Sequence, residues 1–163
     1  MFEFATPSSW SALHPSVSHF PIVLLLVSPI FILLALWRRA QRPTLMAVAV
    51  GLLLAGTLGI YLSASSGDEA KKQAPETAEV KAALDHHESL GSAARAVFTG
   101  LSVLLLALQC GPAITKRTLR PRATVALTTL YLVLYAAAVI LLLDAAHSGG
   151  LLVHKLGVHA RLG

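Results

Sequence analysis

The chain has 163 residues, 55% of them hydrophobic and 13% charged, with a mean hydropathy of +0.70. A soluble domain carries about 25% charged residues, so the composition excludes an ordinary soluble enzyme and points to a chain embedded in a bilayer. The formal charge of +5 does not imply nucleic acid, because the basic residues cluster between apolar runs, which is a membrane-topology pattern.

Residues 1–18 contain Glu3 and no Lys or Arg. A secretory signal opens on a basic segment, so this terminus is read as retained. The first span is expected at about 19–37, since 20–37 carries no charge and about 20 apolar residues cross a bilayer core. Pro15 and Pro21 are tolerable at a helix start, Pro29 predicts a kink, and Trp37 suits an interfacial anchor. A basic turn, Arg38-Arg39-Ala40-Gln41-Arg42-Pro43, precedes the second span at about 44–63. There Ala55 and Gly59 form a small-xxx-small pair that admits a close neighbour, and Gly51, Ala55 and Gly59 together could make room for a porphyrin.

The long outer segment, 64–92, is polar as far as Glu88. Ser65-Ser66-Gly67 reads as a break, and Pro75-Glu76 as a helix start. Asp85, Glu88, Ser92 and Arg95 recur at helical spacing as one polar stripe. His86 and His87 fall on the other side, pointing at the bundle. The third span is expected at about 93–110, ended by Gly111-Pro112. The fourth is at about 123–146, with Tyr131 and Tyr135 on one face and Gly149-Gly150 as its cap. The lone Cys110 excludes an internal disulfide and a Cys-ligated cluster and reads as a small hydrophobe.

The fold class is therefore an all-α integral membrane protein: one domain over 1–163, an antiparallel four-helix transmembrane bundle. The turns after spans one and three carry seven basic residues (Arg38, Arg39, Arg42, Lys116, Arg117, Arg120 and Arg122) and no acid. The positive-inside rule makes these turns cytoplasmic. Both termini are then outside, periplasmic if the host membrane is a bacterial inner membrane.

All seven histidines then fall on the outer side: His14 and His19 at the start of span one, His86 and His87 before span three, His147 and His154 at the end of span four, and His159 in the tail. Imidazole ligates transition metals and haem iron, and helix bundles build cofactor sites from facing helices. His19, His87 and His147 are nearest the membrane and form the preferred set, for haem iron or another transition metal. His14 and His154 could serve a second site, His86 is a further candidate, and His14 and His159 are the most readily solvated. Asp144, read as buried within the span, and Glu88 could orient a ligand imidazole; the alternative for Asp144 is that it reaches the outer interface or pairs with Arg95. The plainer alternative is that these histidines only mark the interface.

The start His14-Pro15 with His19-Phe20-Pro21-Ile22, then His87-Glu88 with Leu90-Gly91, and the ending Gly149-Gly150 with Leu152-Val153 resemble a bacterial membrane family called domain of unknown function 2231. The resemblance covers almost the whole chain. It implies the membrane fold, and because some members are linked to cytochrome c-like modules it implies a redox setting. The family's tail reads L-V-Y-x-H-G-V. Here His154 stands at the Tyr and Leu156 at the His, so a ligand role in the tail would shift to His154.

The leading expectation is a haem b electron carrier, or a subunit of a larger respiratory complex, exchanging electrons with quinol or a soluble c-type cytochrome. The alternatives are a histidine-rich copper or zinc protein and a cofactor-free accessory subunit. An electron carrier or subunit is favoured over a stand-alone enzyme. A hydrolase is disfavoured, because Ser63, Ser65 and Ser66 lack a nucleophile-elbow pattern. A homo-oligomer is compatible with the sequence.

Overall fold

A computed structural model describes Trp10, residues 13–116 and residues 120–158. Four long helices run in chain order: α1 (His14–Trp37), α2 (Arg42–Lys71), α3 (Ala78–Thr115) and α4 (Pro121–His154), with a short 3-10 turn (Arg39–Gln41) between the first two. Each is long and apolar enough to cross a membrane, and their outward side chains, Phe20, Ile30, Leu33, Leu58, Val103, Val133 and Ile140 among them, are apolar. A bundle in lipid must look this way, since hydrocarbon offers no partner to a polar group. The helices form an antiparallel ring in which α1 meets α2 and α4, and α3 meets α2 and α4. α1 and α3 therefore stand diagonally opposite.

The tightest pair is α1–α2, and two glycines explain it. A Cβ added at Gly56 would lie 2.7 Å from Leu25 Cγ, and one at Gly59 would lie 3.0 Å from Pro21 Cβ. Close helix approach in lipid depends on such small residues. The contact uses Gly56 and Gly59 rather than the expected Ala55 and Gly59, and Gly51 and Ala55 face outward. Gly59 is closed off by Pro21 of α1, and Gly51 and Ala55 lie on the outer surface, so the three do not together make room for a porphyrin within the bundle.

The core draws on all four helices: Leu25 and Ile32, Met46 and Leu53, Phe98 and Leu105, Tyr131 and Tyr135. α1 passes through both Pro21 and Pro29 as a single helix. Pro29 has no N–H to give the carbonyl of Leu25 four residues earlier. That carbonyl accepts from the Tyr135 hydroxyl at 2.8 Å instead. Ser28 donates to the carbonyl of Ala49 at 3.0 Å, and Thr57 meets Ser102 at 2.9 Å.

Several expected breaks are not breaks. α2 continues through Ser65-Ser66-Gly67 to Lys71, with the Ser66 hydroxyl folded back on the carbonyl of Ser63. α3 starts at Ala78 rather than at Pro75-Glu76. Thr77, extended at ψ 152°, accepts from the backbone N–H of Val80 as an N-cap, with Glu79 in the first turn. α3 also carries past Gly111-Pro112 and ends at left-handed Lys116, and α4 runs through Gly149-Gly150. Helical hydrogen bonding outlasts these local signals because each sits on a helix already held by its neighbours. Cys110 is exposed.

Candidate functional site

The described histidines gather at one end of the ring, where α1 and α3 begin and α2 and α4 end. Two of them turn inward. His14, in the first turn of α1, reaches across to α2, its Nδ1 lying 2.9 Å from the carbonyl oxygen of Ser63 and 3.0 Å from Ser66 Oγ. Its ring rests on bare backbone: a Cβ at Gly67 would lie 3.0 Å from His14 Cε1. His87, in α3, reaches across to α4 in the same manner. Its Nδ1 lies 3.1 Å from the carbonyl oxygen of Ala145 and 2.8 Å from Ser148 Oγ, and a Cβ at Gly149 would lie 2.9 Å from its Cε1.

A carbonyl oxygen only accepts, so each Nδ1 carries its ring proton and each Nε2 keeps a lone pair. Neither Nε2 has a protein partner among the described residues. A ligating histidine is commonly held in this way, one nitrogen on a carbonyl and the other toward the ligand.

Both rings lie beyond the apolar runs 20–37 and 93–110. Burial pushes His14 below the ordinary histidine range, opposed by the Ser63 carbonyl and by Asp68. Burial also pushes His87 down, joined by charge on His14 and His86 and opposed by the Ala145 carbonyl and Glu88. Both shifts favour the neutral imidazole, the form that ligates.

The other candidates do not share this level inside the bundle. His19 is exposed and turns back to the carbonyl of Pro15 on its own helix. His86, His147 and His154 are exposed, and His159 lies outside the described residues. His14 and His19 differ by five positions, about 140° around a helix, so only one of them can face the ring, and it is His14 rather than His19. His87 faces inward above Ala94, Phe98 and Leu101, whereas His86 does not. Asp144, expected to be buried, is exposed. Glu88 is exposed too and pairs with Lys71 of α2, which also reaches Asp85 at 4.0 Å. Among the described residues no three His, Cys, Asp or Glu side chains converge as a metal site. Sequence reading missed Ser66, Gly67, Ser148 and Gly149 as partners of the rings, although Ser-Gly follows a small residue at the same spacing in both helices.

The model of the predicted membrane proteins DUF2231, the domain of unknown function 2231, matches residues 11–161. The chain belongs to this family. The match takes in both histidine cradles and all four helices, so the two inward rings are part of the family domain itself and not of an appended segment. Neither the curated proteins nor the solved structures yield a match.

Proposed function

We propose that this member of the DUF2231 family is a membrane b-type haem electron-transfer protein, or such a subunit of a respiratory complex, in which His14 and His87 would hold the haem iron. The supporting observation is that two neutral imidazoles, and only two among the described residues, face inward from opposite helices with Nε2 uncommitted. A zinc or copper site takes three or four protein donors, whereas a porphyrin brings four nitrogens of its own and asks the protein for axial donors alone. The donor count therefore favours haem over the metal alternative, and His14 with His87 over His19 and His147.

Bound haem would supply a one-electron couple. The chain's own part is to hold two imidazoles in one tautomer, keep them neutral, and cap an apolar bundle with them. With the basic turns on the cytoplasmic side, the site would lie at the periplasmic face of a bacterial inner membrane. Quinol in the bilayer and a soluble c-type cytochrome are the fitting electron partners.

The test is a reduced-minus-oxidised spectrum of the protein purified in mild detergent, with parallel metal analysis. Soret and α bands are expected, lost in His14→Ala and in His87→Ala and kept in His19→Ala and His147→Ala. Stoichiometric copper or zinc without those bands would replace the haem reading with the metal one. Absence of both would leave the accessory-subunit reading.

A further inference from the structure

The two cradles match atom for atom. In α2 the carbonyl comes from position 63, the hydroxyl from position 66 and the bare backbone from position 67. In α4 they come from 145, 148 and 149. The spacing i, i+3, i+4 is the same. In each, the serine also sits over its own carbonyl, 2.9 Å for Ser66 to Ser63 O and 3.1 Å for Ser148 to Ala145 O, which closes a triangle of ring nitrogen, hydroxyl and carbonyl. The histidine side repeats as well: His14-Pro15-Ser16-Val17 at the head of α1 and His87-Glu88-Ser89-Leu90 in α3 share H-x-S followed by an aliphatic residue. Both histidines belong to the first helix of a hairpin and both cradles to the second.

We infer that α1–α2 and α3–α4 are two copies of one hairpin unit, and that Ser66 and Ser148 are equivalent positioning residues that set the tautomer and aim of His14 and His87 toward one shared ligand.

The chemistry follows from proton counting. Each serine has one hydroxyl proton, and its carbonyl neighbour accepts it. The serine oxygen is then left to accept from Nδ1–H alongside that carbonyl. The other tautomer would set the Nδ1 lone pair against the carbonyl oxygen, so the Nδ1–H form is favoured at both rings. The neutral histidine side chain in water carries its proton mainly on Nε2, and the cradle therefore works against the default. Gly67 and Gly149 let the rings lie on the backbone, where any side chain would displace them.

The ligand's identity rests on the haem reading, but the positioning role has a readout that does not. In the full-length apoprotein labelled with 15N-histidine, His14 and His87 are expected to show protonated Nδ1 and unprotonated Nε2. Ser66→Ala should relax that preference for His14 alone, Ser148→Ala for His87 alone, and Ser→Thr should restore it. An Nε2–H ring at either position in the unaltered protein would overturn the inference. So would a serine variant that shifts both rings or neither.

In a second arm, haemin is titrated into the same proteins. Ser66→Ala and Ser148→Ala should each weaken binding by about 10-fold, with midpoint potentials moved in the same direction. Gly67→Ala should act like Gly149→Ala. Effects confined to one hairpin would overturn the equivalence. The expected tautomers without any haemin binding would retain the positioning role and discard haem.

Discussion

The Tyr135 hydroxyl donates to the carbonyl of Leu25 at 2.8 Å, the carbonyl that Pro29 leaves without its helical donor. A residue on α4 thus repairs a gap in α1, at a depth where no water can do so. The bond ties the loosest neighbouring pair of helices, α1 and α4, and it explains how α1 tolerates a mid-span proline.

Tyr135→Phe should therefore cost stability, by about 0.6–1.7 kcal/mol for an interhelical bond in lipid. In a Pro29→Ala background the N–H of residue 29 returns to the Leu25 carbonyl, and the cost should shrink. Denaturation in mixed micelles of the four proteins gives the coupling directly. Equal costs in the two backgrounds would mean that the hydroxyl does not serve the proline gap. Tyr131 is the internal control. Its hydroxyl is buried with no partner among the described residues, so Tyr131→Phe should be neutral or stabilising.

The α1–α2 seam makes a second prediction. Gly56→Ala puts a methyl 2.7 Å from Leu25 Cγ, on a side chain with no exposed surface. Overpacking of this kind costs about 1–3 kcal/mol. Gly51 has nothing within 4 Å of an added Cβ, and Gly51→Ala should be neutral or slightly stabilising because alanine favours helix. Melting of the two variants in one detergent compares them. A Gly56→Ala protein as stable as the parent would show that the seam opens without cost.

The four spans were legible because apolar runs such as 20–37 admit one reading at a bilayer's length scale. Tyr131 and Tyr135 were likewise legible as one face, four positions apart, and both are almost fully buried. The direction of each histidine was not legible from proximity to the membrane. His147 is as near the bilayer as His87, yet it projects away from the ring while its neighbour Ser148 projects in. Which side of a helix faces a partner depends on how the helices are rotated against each other, and a nearly uniform apolar surface records that rotation poorly. The signal that could have found the inward pair is the repeat itself. H-x-S-V with S-x-x-S-G, and H-x-S-L with A-x-x-S-G, occur in matching halves of the chain. Ser-Gly reads as a helix breaker only when its hydroxyl is assumed to face water.

The outer ion pair gives a pH prediction. Lys71, on the extension of α2 past the apolar run, meets Glu88 one residue beyond His87. The hydrogen bond from Lys71, then its charge, hold the Glu88 carboxyl below the usual range, and the same bond raises Lys71. Glu88 thus binds a proton less readily folded than unfolded. Its contribution is complete above the ordinary carboxylate pKa of about 4.3 and is lost as pH falls through the lowered folded value. Both side chains are exposed, so the effect should be small and weaken with salt. Glu88→Gln should barely change melting at pH 7 and should flatten its dependence below pH 4.5 or so. A large loss at neutral pH would instead assign Glu88 a structural role toward His87.

Topology is the remaining prediction, and it fixes the compartment of the site. Among the described residues, Arg38, Arg39, Arg42, Lys116, Arg120 and Arg122 flank one end of the bundle, and the acidic residues lie toward the other. With Cys110 replaced by Ser, Arg39→Cys samples the basic turn and Lys72→Cys samples the connection next to the His14 and His87 cradles. Both positions are exposed. In intact cells whose outer membrane has been made permeable, a membrane-impermeant maleimide should label Lys72→Cys and spare Arg39→Cys until the inner membrane is broken. The reverse pattern would put the two imidazoles at the cytoplasmic face. A periplasmic cytochrome could then not reach them, whereas the pairing of His14 with His87 would be unaffected, because it depends on the cradles and not on which way the bundle stands.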